Sequence, residues 1–331
     1  MKGIDPSSLL RHVRTRTTQS IVSKTHFVTK SITQLTNWQG RKIVVGGFAA
    51  GANANVTKAR ALSELCERVF ALYDFQANHL IDGQFMRTTN WPANEKVYLV
   101  DGSAIVLGPT PFSESSSSDA SGLSWASNFD RACMHAFFEV LERHLLAEIW
   151  YRGRSITKLD RRLIGEFSAD VYTVPTERLV PFALAVLSDR FRQRLVCGSA
   201  VRSSLIDAIE HSISEAIMLM DGVLRQDIGS ITNESTRARV LSLSNHKLSI
   251  ARWQYIERQV DRTERSATPL RCLGALDDIL KAIFNGSEPE LQIANLYSSD
   301  QGHLVRALIP KALHLNVARA TIPCAIPDPF C

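Results

Sequence analysis

The chain has no uninterrupted apolar stretch near the ~18 residues that a membrane-spanning helix needs, and Met1 to Leu10 shows no charged start followed by an apolar segment. A membrane span and a secretory signal are not expected, and the reading is a soluble, cytoplasmic protein. Its six cysteines, Cys66, Cys133, Cys197, Cys272, Cys324 and Cys331, include no C-x-x-C pair, which argues against a zinc site or a disulfide framework. Cys66 and Cys133 fall on apolar helical faces and read as small core residues. There is no lysine block either. The net charge of +5 is spread from Arg11 to Arg319, which suits a nucleotide or an acidic peptide and does not call for nucleic acid. The Gly-Lys-Ser/Thr of a P-loop and a clean G-x-G-x-x-G are both missing, so no standard phosphate-binding loop is visible.

What is present is ordinary globular material. At 331 residues and 45% apolar, the chain can bury a core as one large domain or two intimate halves. A strand is expected at Lys42 to Val45, followed by a small-residue turn, Gly46 to Asn55, and a helix from about Thr57. The polar, serine-rich stretch from Phe112 to Asp119 reads as an exposed loop. It leads to a second helix, about Asp130 to Tyr151. Strands are expected at Arg178 to Leu187 and Gln193 to Cys197, and a third helix from about Ser204 to Leu224. This alternation argues an α/β or α+β fold with a mixed sheet and packed helices.

A pattern links the helices. The first carries Ala61-Leu62-Ser63-Glu64-Leu65-Cys66-Glu67-Arg68 and the second Ala136-Phe137-Phe138-Glu139-Val140-Leu141-Glu142-Arg143; the third echoes them as Ser212-Ile213-Ser214-Glu215-Ala216. Glu64 and Glu139 stand 75 positions apart, and Glu139 and Glu215 stand 76 apart, a spacing compatible with an internal repeat. At about 100° per residue, Glu64, Glu67 and Arg68 face away from Leu62, Leu65, Cys66, Val69 and Tyr73. Likewise Glu139, Glu142 and Arg143 lie opposite Cys133, Phe137, Val140 and Leu141. Such triplets are either solvated faces with Glu-to-Arg i,i+4 pairs or, if the faces oppose each other, a cluster of carboxylates that divalent cations and arginines must neutralise. Carboxylates on Mg2+ with arginines on phosphate make a sensible nucleotide site.

In these segments the chain resembles the YcaO family, which uses ATP and Mg2+ to activate a peptide backbone amide. The blocks run in the family's order: Lys58 to Arg68, Gly122 to Ser127 leading into Ala132 to Arg143, Cys197-Gly198-Ser199-Ala200 before Ala208 to Glu215, Val305 to Pro310, and the tail Pro327-Asp328-Pro329-Phe330-Cys331. The resemblance implies one YcaO-type domain over 1–331, with halves at about 1–155 and 156–320, an ATP cleft lined by helices, and a proline-rich tail at 321–331 that enters the active site. It implies ATP contacts by Arg60, Glu64, Ser124, Ser127, His135 and Arg143, and Mg2+ ligation by Glu67, Glu139 and Glu142. The stiff alternating prolines Pro327 and Pro329 would aim the C-terminal carboxylate of Cys331 at the reacting centre.

The implied activity is that of an ATP-dependent cyclodehydratase, turning Cys, Ser or Thr of a ribosomal precursor peptide into thiazoline or oxazoline, as in thiazole/oxazole-modified microcin and other bacteriocin or antibiotic biosynthesis. Amidine or thioamide formation, or a non-catalytic scaffold, are the rival readings. The implied partners are the precursor peptide, a protein that binds its leader, and a flavin-dependent azoline dehydrogenase, in a hetero-oligomer; the length leaves no room for a separate leader-recognition domain. Two positions depart from the family's pattern: Arg60 stands where serine is frequent, and Arg131 where a metal-binding glutamate is usual, with Asp130 beside it pointing about 100° away. His135 can hydrogen-bond in the cleft or serve as a satisfied helix histidine.

Overall fold

The computed structural model describes residues 12–37, 39–82, 84–107, 120–174, 180–191, 193–225, 241–243, 245–261, 275–284, 290–313, 321–322 and 324. The serine-rich stretch 112–119 and the tail 327–331, with Pro327, Pro329 and Cys331, lie outside these residues.

The first strands, β1 (Arg14–Gln19), β2 (Phe27–Thr36) and β3 (Lys42–Gly51), form a three-stranded sheet in the order β1-β2-β3, and helix α1 (Ala54–Phe70) follows. Next come β4 (Phe85–Asn90), β5 (Val97–Asp101), β6 (Leu123–Ala126) and the long helix α2 (Phe129–Arg152). Strands β7 (Thr157–Ile164), β8 (Phe167–Thr173), β9 (Phe182–Asp189) and β10 (Leu195–Val201) make a four-stranded sheet, and α3 (Leu205–Arg225) comes after it. Helices α4 (His246–Gln259) and α5 (Leu276–Ile283) precede β11 (Gln292–Ser299) and β12 (Gly302–Leu308). The last two strands return to complete a five-stranded sheet, β5-β4-β11-β12-β6.

The fold class is as expected, but the strands are shared among three sheets, and every ladder between named strands is antiparallel. The segment 46–51 is a further correction. It continues β3 instead of turning, paired with β2 as far as Gly51 opposite Phe27. Its small residues serve packing: a Cβ on Gly47 would lie 2.1 Å from the Ala61 carbonyl oxygen, so only glycine lets α1 rest directly on this strand. Gly198 on β10 does the same for α3, where a Cβ would lie 2.2 Å from the Ser212 carbonyl oxygen.

The apolar run of β9 shows how sequence sets the layers. Phe182, Leu184 and Val186 belong to the core around α2, whereas Ala183, Ala185 and Leu187 belong to the core around α3. Alternating side chains point to opposite faces, so a strand apolar at every position is covered on both. The four-stranded sheet therefore lies between α2 and α3. On its other side α2 meets Ile293, Val305 and Ala307 of the five-stranded sheet. The opposite face of that sheet, with Leu123, Ala294, Leu296 and Leu304, packs against Phe70 and Cys66 of α1. The turn after β1 then joins α3, where the Ser20 hydroxyl and the Ile21 amide donate to Asp221 at 3.0 and 2.8 Å. Sheets and helices thus alternate around a closed circuit.

Two helical expectations change. Cys133, Phe137, Val140 and Leu141 are buried, but so are residues on the expected glutamate side, Glu142 among them, and most of the helix from Ala136 to Trp150, because sheets cover it on both sides. Beyond its first turns, where Asp130, Arg131 and His135 are exposed, it has no continuous solvated face of the kind a surface helix shows. In α1, Leu65 and Val69 are buried, Leu62 and Cys66 are half-buried, and the helix ends at Phe70, before Tyr73. Cys66 and Cys133 behave as core residues, with burial pushing their thiols up to about 11 and about 12.

Glycine positions make a test with opposite signs. Gly198→Ala should destabilise the chain by ~1–3 kcal/mol in thermal or urea unfolding, since strand or helix backbone must shift. Gly222→Ala, on α3 with nothing within 4 Å of the added methyl, should be neutral or stabilising by up to ~1 kcal/mol.

Candidate active site

Each of the three sheets ends in an edge strand facing the helices, and an edge strand carries N–H groups that its sheet does not use. On β3, β6 and β10 a glutamate takes one of them. Phe48 N–H donates to Glu64 at 2.6 Å, Trp125 N–H to Glu67 at 2.8 Å, and Ser199 N–H to Glu215 at 2.7 Å. The Ser199 hydroxyl also donates to Glu142 at 2.8 Å, tying α2 to the carboxylate on α3. Carboxylates from α1, α2 and α3 are in this way gathered on one side of the circuit.

Their electrostatics follow from crowding. Burial lifts the Glu64 carboxyl, opposed by Arg68, the Phe48 amide and Arg143. Glu67 is lifted well above the usual range, by burial first and by Glu139 and Glu64 as repelling neighbours, against the Trp125 amide and Arg68. Glu215 is pushed up to about 7 by burial and then by Glu142, with Arg143, the Ser199 amide and Arg202 pulling the other way. Arg68 pairs with Glu64 and donates to the Gly46 carbonyl at 2.8 Å. Arg143 stands 3.9 Å from Glu139 and 4.0 Å from Glu142, close enough to neutralise both loosely.

A basic layer lies beside this acidic one. Burial and then Arg202, Arg131 and Arg60 hold the His135 imidazole below its usual range. His211 is held well below it, by burial and then by Arg202, Arg60 and His135. Arg60 is itself pushed down by burial and by Arg202. Arg60, Arg131 and His135 are exposed to water.

The structure therefore brings together Arg60, Glu64, Glu67, His135, Glu139, Glu142 and Arg143. It does not open the Ser124 hydroxyl to this space: Ser124 is buried, 4% exposed, within β6. Ser127 is exposed, just ahead of Asn128, which caps α2. Glu215, Ser199, His211 and Arg202 belong to the cluster but are not singled out as site residues by sequence reasoning. The signal was available, since Gly47 to Glu64 and Gly198 to Glu215 both span 17 positions, and each glycine is followed by the residue whose amide the glutamate accepts.

The family model described as YcaO cyclodehydratase, ATP- and Mg2+-binding, matches residues 85–313, more than half of the chain. The chain belongs to the YcaO family. None of the curated proteins matches it. Among solved structures, a heterocyclase in complex with substrate and cofactor is similar with a TM-score of 0.69 and 13% identity over 92% of this chain, which spans only 50% of that heterocyclase. YcaO from Methanopyrus kandleri bound with AMPPCP and Mg2+ gives 0.63 and 13%, covering 97% of this chain and 93% of the other. The E. coli microcin synthetase McbBCD complex gives 0.63 and 14%, covering 86% and 84%. Such identities establish the shared fold.

In YcaO terms, α2, β10 and α3 lie inside the matched region and α1, with Glu64 and Glu67, precedes it. Among the described residues no group of three or more His, Cys, Asp or Glu stands ready to hold a metal. That still fits Mg2+, which takes one or two carboxylates and completes its shell with phosphate oxygens and water. Half-buried carboxylates that repel one another, as Glu67 and Glu139 do, form a donor set short of positive charge.

The raised Glu215 carboxyl sets the sign of a pH test. A carboxyl whose folded pKa exceeds its unfolded value costs stability as pH rises from the unfolded pKa through the folded one. Without nucleotide, Glu215→Gln should gain melting temperature over the parent chain, by a margin that grows between about pH 4.5 and about pH 7 and then levels.

Proposed function

We propose that this YcaO protein is the ATP- and Mg2+-dependent cyclodehydratase of a peptide-modifying assembly. The observation that carries the reading is the convergence, from three helices, of crowded, half-buried carboxylates beside a layer of arginines and histidines. Glu67, Glu139 and Glu142 would hold Mg2+, with Glu215 added to that set. Arg143 and Arg60 would meet phosphate oxygens, and Glu64, His135 and Ser127 line the nucleotide space. When bound, ATP would supply the phosphoryl group and Mg2+ positive charge to offset the phosphates and carboxylates.

The substrate is a precursor peptide whose Cys, Ser or Thr side chain attacks the preceding carbonyl carbon. As the carbon–heteroatom bond forms the thiol or hydroxyl loses its proton, and the former carbonyl oxygen takes the γ-phosphoryl group with ADP leaving. That oxygen then departs as phosphate while the amide N–H proton is lost and C=N forms, leaving a thiazoline or oxazoline. The residues of this chain fix positions and charge: edge-strand amides lock Glu64, Glu67 and Glu215, and Arg68 and Arg143 offset part of the repulsion within the cluster. The C-terminal carboxylate of Cys331, directed by Pro327 and Pro329, takes the proton. Ile322 and Cys324 pack against the core around α2, which supports a tail that starts beside this helix.

The E. coli neighbour has also been solved with pro-MccB17 bound. By analogy this chain works in a hetero-oligomer with a leader-binding protein and a flavin-dependent azoline dehydrogenase, toward an azole-containing bacteriocin or antibiotic. No helix among the described residues is long and apolar enough to cross a membrane, and a cytoplasmic assembly is proposed. The chain acts as a single unit, with halves near 1–155 and 156–320.

Removing residues 327–331 tests the chemistry. With partners and precursor present, loss of water from the peptide, followed by mass spectrometry, should fall at least ~100-fold while ATP affinity changes less than about 3-fold. Persisting dehydration would refute the role of the tail. Glu139→Gln should instead weaken Mg2+-dependent ATP binding ~10-fold or more in calorimetry.

A further inference from the structure

The acidic layer has a counterpart that the proposed Mg2+ site does not use. Four residues before Glu64, Glu139 and Glu215 stand Arg60, His135 and His211, and Arg131 lies one turn earlier still on α2. Four residues of helix rise about 6 Å, so the basic groups form a tier one turn N-terminal to the carboxylates on all three helices. Arg202, just after β10, joins them: it acts on Arg60, His135 and His211, and it also reaches Glu215.

The fold rewards these cations little: Arg202 donates to the Val201 carbonyl at 2.6 Å and attracts Glu215 without forming an ion pair. Arg131 occupies the first turn of α2, where the helix dipole disfavours positive charge. Arg60 precedes Glu64 in the less favourable order for an i,i+4 pair and makes none, because Glu64 is occupied by Arg68 and the Phe48 amide. His135 and His211 are crowded by like charge rather than relieved of it. Among the described residues Arg60, Arg131 and Arg202 form no ion pair, Arg60 and Arg131 are exposed, and all three act on His135. Cations assembled at a cost and left unpaired beside a proposed nucleotide site call for a polyanion.

We propose that Arg60, Arg131 and Arg202 hold the polyphosphate of the nucleotide directly, so that this chain binds ATP measurably without any divalent cation. The inference rests on the ATP-binding reading above and adds to it that guanidinium groups take part of the neutralising role of metal. His135 and His211 border the same space as neutral hydrogen-bonding groups at neutral pH. The ligand chemistry is that of a linear polyphosphate, with Mg2+ in the carboxylate tier strengthening the complex.

Calorimetry on the full-length chain tests this, using ATP, inorganic tripolyphosphate and adenosine, each in excess Mg2+ and in EDTA. ATP and tripolyphosphate should bind in EDTA within about 30-fold of their Mg2+ affinity, and adenosine far more weakly than either. Arg60→Gln and Arg131→Gln should each lower affinity about 10-fold in EDTA and less in Mg2+. Retained Mg2+-dependent binding and an unchanged circular dichroism spectrum show that the variants fold. ATP binding in Mg2+ that vanishes in EDTA, or a loss in the variants that is equal in both conditions or absent, overturns the inference and leaves the ATP reading standing. No ATP binding under either condition overturns both.

Discussion

The hydrogen bond between an edge-strand amide and a helical glutamate, made three times, is the interaction on which the site depends. A sheet edge must dispose of its outward N–H groups, and a buried carboxylate must find donors. Here each need satisfies the other: Phe48 with Glu64, Trp125 with Glu67 and Ser199 with Glu215. The bond between Phe48 and Glu64 requires α1 to lie directly on β3, which Gly47 permits, and that between Ser199 and Glu215 requires the same of α3 on β10, which Gly198 permits. Remove the close approach and the carboxylates lose both their place and their donors.

The circuit of sheets and helices explains why charge collects on one side. Each helix is packed between two sheets and presents its glutamates where the edge strands meet it. The carboxylates are then forced together, as the raised Glu67 and Glu215 record, and a cation or proton must make up the balance. The basic tier one helical turn away is the complementary half. Two layers of opposite sign, built from the same three helices, suit a ligand that is itself a polyanion carrying a divalent cation.

Much of this was legible in the sequence. The helical positions of Glu64, Glu139 and Glu215, their near-equal spacing and the length of α2 follow from periodicity. What sequence pattern left open was whether the glutamate faces were solvated or converging. Sheets cover α2 on both sides because β11 and β12 return from more than 130 residues away to pair beside β6, and no local pattern encodes such a return. The segment 46–51 looked like a turn for a related reason: small residues mark a turn when seen alone and a close helix–strand contact when the helix is in place. Ser199 and Glu215 were visible as an echo, but their role depends on the β10 edge facing α2 and α3 together.

The central claim is that carboxylates from α1, α2 and α3 enclose one metal–nucleotide site. Crystals grown with a non-hydrolysable ATP analogue and Mn2+ in place of Mg2+ test it most directly, through anomalous scattering at the manganese edge. The account predicts manganese within ligation distance of oxygens from Glu67, Glu139, Glu142 or Glu215 and of the phosphates, with the arginine tier on the far phosphate oxygens. Manganese or nucleotide located elsewhere on the chain, with these glutamates still bound only to edge-strand amides and arginines, would contradict it.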